Sequence, residues 1–239
     1  MIAILKREFI AYFTTPLGYV FIGVYLIFSG AFFYLFTLTS ATPSVGSADV
    51  SVMFSMMFFV LMVTVPILTM RLFSEEKKNK TDQLTLTAPV SLFGLVTAKF
   101  TAAFSIFLIS TAVMPIFGLV LNHFSDVRWA IIWGNIAGLV LLGAVYTSAG
   151  LFVSALTENQ MVAAIISILL NVAFLLSNVL AAYIGIGFIS DMLTDFSLLA
   201  RYSEFTIGIF DFSNILFFLS ITVVFLFLTV RMLERKRWS

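Results

Sequence analysis

Charged side chains are concentrated in one stretch, RLFSEEKKNKTDQLTLTAPVS at 71–91, where four basic and three acidic residues fall between Arg71 and Asp82. Charge that dense suits a solvated loop or a docking surface for a soluble partner, and it does not compose a catalytic set. The single His123 has only Asp126 close to it in sequence, too few ligands for a metal site. There is no cysteine, which leaves out disulfides and thiolate metal sites. A phosphate-binding Gly-Lys-Ser/Thr loop, a zinc-protease helix motif and a Gly-x-Ser-x-Gly elbow are all missing from the sequence. The chain is therefore read as no enzyme, with no cofactor of its own and no nucleic-acid partner.

The elements that hold the charged stretch are apolar. Of the 239 residues, 61% are hydrophobic and 10% charged, against about 25% charged in soluble domains. Continuous apolar runs at 17–38, 50–70, 100–121, 129–156, 161–184 and 212–230 match the roughly 20 residues a bilayer-spanning helix needs. The expected fold is an all-α membrane protein of one domain, residues 1–239. Strands of a membrane barrel are excluded, because no run alternates polar and apolar residues. With both termini cytoplasmic, eleven of the thirteen Lys and Arg lie inside and only Arg128 and Arg201 outside, a positive-inside distribution. The charged stretch then faces the cytoplasm.

Ahead of the first run, residues 1–16 place Ile2, Leu5, Phe9, Tyr12 and Phe13 at helical spacing with Lys6, Arg7 and Glu8 beside them. This segment is read as a retained interfacial helix rather than a cleaved leader. Residues 185–211 are semi-apolar and read as short helices dipping into the outer leaflet. The six runs carry no ionisable residue away from their ends, so energy for moving a solute must come from outside the chain. Within the fifth run, Ser167, Asn171, Phe174 and Asn178 share one helix face. Their spacing allows either hydrogen bonds to neighbouring helices or the lining of a path. In the second run, Phe54, Met57, Phe58, Leu61, Val65 and Leu68 form an apolar face beside Ser55, suited to packing. Gly134, Gly138, Gly143 and Gly150 mark the fourth run as one that others approach closely, within the bundle rather than at a dimer seam. Thr81 is expected to cap a short helix ended by Pro89, and Ser91 to cap the next.

The stretch RLFSEEKKNKTDQLTLTAPVSLFGLVTAKF resembles the segment between spans two and three of permeases in type-2 ATP-binding-cassette (ABC-2) transporters. Arg71, Glu76, Thr81, Leu84, Pro89, Val90, Ser91 and Lys99 occupy the places of that family's pattern. Lys80 stands where a Gly usually precedes the Thr, and Gln83 where a Glu usually follows it. The ending RYSEFTIGIFDFSNILFFLSITVVFLFLTVRMLERKRW is similar to the gliding-motility-type branch. The resemblance implies an elbow helix (Leu5, Phe9, Phe13), a cytoplasmic coupling helix within 74–91 (Glu76, Thr81, Asp82, Leu84, Leu86, Pro89) and external re-entrant helices within 185–211. It implies a translocation path that includes Ser55, Phe58, Asn171, Phe174 and Asn178. It further implies residence in the bacterial cytoplasmic (inner) membrane and assembly with an ABC ATPase subunit, which binds ATP and Mg, and with a second or homologous permease. Expected functions are an ATP-driven exporter working by alternating access, or a subunit transmitting ATPase motion to an external accessory protein.

Overall fold

The computed structural model describes residues 2–39, 50–81, 91–124, 128–184 and 195–238. Among these no strand occurs, and the helices are α1 (Ile2–Thr14), α2 (Pro16–Phe32), α3 (Ser51–Thr69), α4 (Arg71–Lys78), α5 (Leu92–Thr111), α6 (Met114–Leu121), α7 (Trp129–Leu156), α8 (Gln160–Ile184), α9 (Leu198–Thr206) and α10 (Phe212–Trp238). A π-helical turn, Phe33–Leu38, prolongs α2. Six segments are long and apolar enough to cross a bilayer: Pro16–Leu38, Ser51–Lys78, Leu92–Leu121, Trp129–Leu156, Gln160–Ser177 and Phe212–Arg237. Helix α1, at 13 residues, reaches only about 20 Å and falls short of the ~30 Å core.

Helix α7 is the axis of the bundle, with α3, α4, α5, α8, α9 and α10 packed around it. Its small residues let them approach. A Cβ on Gly143 would stand 2.2 Å from the Phe107 ring on α5, and one on Gly150 would stand 2.1 Å from Thr69 Oγ1 on α3. Gly138 meets Phe205 of α9 in the same way, at 2.7 Å. The glycine-rich face thus packs inside one chain, as its spacing suggests. The apolar face of α3 does likewise, since Phe54, Met57, Phe58, Leu61, Val65 and Leu68 are all buried.

Proline 66 lies inside α3 and has no N–H to offer the carbonyl four residues back, that of Met62. Asn171 on α8 fills the gap, its Nδ2 donating to the Met62 carbonyl at 3.1 Å. At the opposite end of α3 from α4, the short α9 lies across the bundle. Tyr202 donates to the Phe54 carbonyl (2.8 Å), while Ser51 (2.8 Å) and Asn135 (3.3 Å) both donate to the carbonyl of Thr206. Gly208, at φ +84°, closes α9, with Ile209 N–H returning to the Glu204 carbonyl at 3.0 Å.

Two boundaries depart from the apolar runs. Helix α5 begins at Leu92, capped by Ser91, whose Oγ accepts from Gly94 N at 3.2 Å. Lys99 is therefore two turns inside a spanning helix, not at its mouth. The second span likewise continues through α4 to Lys78, so part of the charged stretch extends that span.

Candidate functional site

The charged residues of α1, α4 and α5 converge at one end of the bundle. Lys99, with 1% of its side chain exposed, places its ammonium 2.9 Å from Glu76 Oε1 on α4 and 3.1 Å from Glu8 Oε1 on α1. A third contact, 2.7 Å, runs to the Leu72 carbonyl. An ammonium has three donors, and here each has an acceptor. The Phe73 ring lies 5.1 Å from the nitrogen, adding a cation–π contact.

Arg7 uses the same two carboxylate oxygens, at 2.8 Å from Glu8 and 2.9 Å from Glu76. Two cations and two carboxylates therefore alternate in a closed arrangement spanning three helices. Burial works against the Glu8 carboxylate, but the Lys99 charge and the hydrogen bonds from Arg7 and Lys99 outweigh it and hold its pKa below the ordinary value. The hydrogen bond to Glu8 is the main cause of the raised pKa of Arg7, against the effect of burial. Removing Lys99, the buried member, costs about 3–5 kcal/mol, because carboxylate charge is left poorly compensated, whereas Arg7, 61% exposed, is screened by solvent and matters less.

The other side of α4 is fixed to the end of α7. Ser154 Oγ donates to the Met70 carbonyl at 3.0 Å and accepts from Phe73 N (2.9 Å) and Ser74 N (3.2 Å). It so bridges the break between α3 and α4. Lys77 donates to the Ala155 carbonyl near the C-terminus of α7, where a cation also suits the helix dipole. On α1, Tyr12 is fully buried, its hydroxyl donating to the Leu68 carbonyl at 3.0 Å, and burial pushes its pKa up.

Helix α4 ends in a left-handed residue, Lys80 at φ +57°. The closing bond runs from Thr81 N–H to the Glu76 carbonyl at 2.9 Å, and the Thr81 hydroxyl donates to that carbonyl too, at 3.2 Å. This is the terminus geometry that favours glycine, so the substitution of Lys80 for the usual Gly falls where backbone shape matters.

Of the expected coupling residues, Glu76 enters the charged junction and Thr81 closes α4, while Asp82, Leu84, Leu86 and Pro89 lie outside the described residues. Leu5, Phe9 and Phe13 are half-buried on α1, with Phe9 and Phe13 rings 5.2 Å apart. Ile2, placed on the same face by spacing, is exposed. Among the residues assigned to a path, Phe58 and Asn171 are buried within the chain. Ser55 and Phe174 are half-buried, the first bonding the Ser51 carbonyl at 2.8 Å and the second 6.3 Å from the Phe225 ring. The side chain of Asn178 lies outside the described residues.

Sequence reasoning missed Arg7, Glu8 and Lys99 as one group. The available signal was Lys99 itself, a cation in the helical apolar stretch LFGLVTAKF, which must find a carboxylate if that stretch enters the bundle. His123 is exposed, and among the described residues no three His, Cys, Asp or Glu are grouped to hold a metal.

Six bilayer-length helices, with ion pairs gathered between α1, α4 and α5 at one end, define a multi-pass helical membrane protein. A family model described as "ABC-2 family transporter protein" matches residues 5–174, which includes most of α1, the charged junction and most of α8. The chain belongs to the ABC-2 transporter family and is a permease component of an ABC transporter, a class of membrane subunit that works with an ABC ATPase. No curated protein matched the chain.

Proposed function

We propose that this permease is the membrane subunit of an ATP-driven exporter of the bacterial inner membrane, with both termini cytoplasmic and with a second or homologous permease beside it. The segment 82–90 docks on the ATPase through Leu84 and Leu86, and Asp82 and Pro89 shape it. Helix α1 serves as the elbow, and α9 belongs to the external re-entrant region. ATP and Mg are bound by the ATPase alone.

The observation that carries this reading is the junction of Arg7, Glu8, Glu76 and Lys99. Force entering at 82–90 passes first into α4, which is ion-paired to α1 and α5 on one side and bonded to α7 through Ser154 on the other. Displacing α4 therefore moves three other helices with it. The path residues Ser55, Phe58, Asn171, Phe174 and Asn178 sit on α3 and α8, which pack together. Opening a route between them requires such a displacement, since Phe58 and Asn171 are buried in the chain as it stands.

Co-purification of the permease with its ATPase, combined with turnover in liposomes, tests this reading. Losing one buried Leu contact costs roughly 1.5–3 kcal/mol, so Leu84→Asp is expected to weaken ATPase binding at least tenfold. Lys78→Ala, at an exposed position, is expected to leave it unchanged. Normal binding by Leu84→Asp contradicts the docking assignment. Stimulation by an external protein, with no solute exported, contradicts the export reading in favour of force transmission.

A further inference from the structure

Beside the charged junction stands a cation with no ion pair among the described residues. Arg71 opens α4 and is half-buried. Its Nη1 donates to Thr15 Oγ1 at 2.7 Å, and its guanidinium lies 4.7 Å from the centre of the Tyr12 ring. Guanidinium carries five N–H donors, and among the described residues Thr15 is its single hydrogen-bond acceptor. No carboxylate of the described residues is ion-paired with it: Glu8 and Glu76 are engaged by Lys99 and Arg7, and Glu75, one turn further along α4, makes no ion pair with it.

An apolar groove of about 80 Å³ leads away from this cation between α2 and α3. Leu17, Val20, Phe21 and Val24 form one wall, and Ile67 and Leu68 stand on the other. Thr15, which holds the guanidinium, comes two residues before Leu17, and Arg71 is one helical turn beyond Ile67 and Leu68. The cation thus lies about one helical turn beyond the residues that line the groove. The groove lies between two membrane-spanning segments, and Arg71 lies just past the end of α3 and beside the start of α2, which we take as the level of the lipid headgroups. Tyr19, largely exposed on α2, is of the aromatic type that favours this level.

An occupant must have a hydrocarbon chain for the groove and an anion for the guanidinium, in that order along the membrane normal. We propose that the α2–α3 groove binds one anionic phospholipid of the leaflet at the α1 end, with its phosphate on Arg71 and an acyl chain along Val20, Val24 and Ile67. Arginine matches phosphate through paired N–H groups, and among the described residues four of its five have no hydrogen-bond acceptor. The lipid bridges α2 to the α3–α4 junction and so ties the coupling end of the permease to membrane composition. This inference rests on the membrane location of the chain and not on the direction of transport.

Native mass spectrometry of the purified permease tests it, comparing phosphatidylglycerol and phosphatidylcholine of identical acyl chains. Wild type is expected to retain one phosphatidylglycerol with a preference of about fivefold, the scale of one cation near anionic lipid. Arg71→Gln should abolish the preference, Val20→Trp should lower retention of both lipids, and Arg231→Gln, in a cation already paired with Glu234, should change neither. A preference that survives Arg71→Gln, or one displaced by glycerol phosphate as readily as by lipid, overturns the proposal. If Arg71→Gln does not fold, a photoactivatable phosphatidylglycerol decides on the wild type. Label concentrated on 17–24 and 64–71 supports the site, and label spread evenly over the six spans contradicts it.

Discussion

Lys99 stands 2.9 Å from Glu76 inside the bundle, on a helix whose other buried side chains are uncharged. A charge in that position is held only because α1 and α4 deliver Glu8 and Glu76 to it. The pair therefore makes the placement of α5 conditional on α1 and α4. That dependence is a physical basis for coupling, because a partner can shift an equilibrium only through contacts that differ between its states.

The Met62 carbonyl, orphaned by Pro66 and taken up by Asn171, gives a prediction for the pairing of α3 with α8. Asn171→Leu should destabilise the permease by about 0.6–1.7 kcal/mol, the range for hydrogen bonds between membrane helices. In a Pro66→Ala background the amide of residue 66 can satisfy Met62, and the same substitution should cost much less. Thermal unfolding of the four proteins in detergent measures the cycle. Equal costs in both backgrounds would mean that Asn171 is held for another reason.

Lys80 gives a second prediction. A left-handed conformation costs a non-glycine residue about 1–2 kcal/mol, and the extra freedom of glycine in the unfolded chain offsets roughly 0.5–1 kcal/mol of that. Lys80→Gly is expected to slow hydrogen exchange at Thr81 N–H, which closes α4, whereas Lys80→Val should accelerate it. Faster exchange in Lys80→Gly contradicts the role given to the terminus.

Acid should loosen α1 through Glu8. Its pKa in the folded protein lies below 4.5, so its contribution is present above that value and is lost as pH falls through the lower folded value. Proteolysis or hydrogen exchange at α1, followed from about pH 6 to pH 3, should show a protective step in wild type. Glu8→Gln should lack that step while keeping the rest of the profile.

How much of this was readable beforehand varies by element. The bounds of α7 follow directly from its run, since Arg128 and Thr157 flank a mainly apolar sequence with no charged residue. The start of α5 is legible in its Ser91 cap and not in its hydropathy, which places the span edge next to Lys99, eight residues later. The partners of Lys99 are 91 and 23 positions away, and no local pattern connects Glu8 to it. Asn171 is legible as a polar residue needing a partner, and Pro66 as one that frees a carbonyl; only packing brings the two together.

ATPase turnover of the assembled complex carrying Lys99→Met measures the central claim, that the junction conveys ATPase motion into the spans. The substitution keeps an apolar stem of similar length, removes the charge shared by Glu8 and Glu76, and leaves segment 82–90 intact. The account predicts an inserted permease that still co-purifies with its ATPase but whose transport-linked turnover falls at least tenfold, with recovery in Lys99→Arg, which restores a cation between Glu8 and Glu76. Wild-type turnover and export by Lys99→Met, at normal levels of assembled complex, would contradict it.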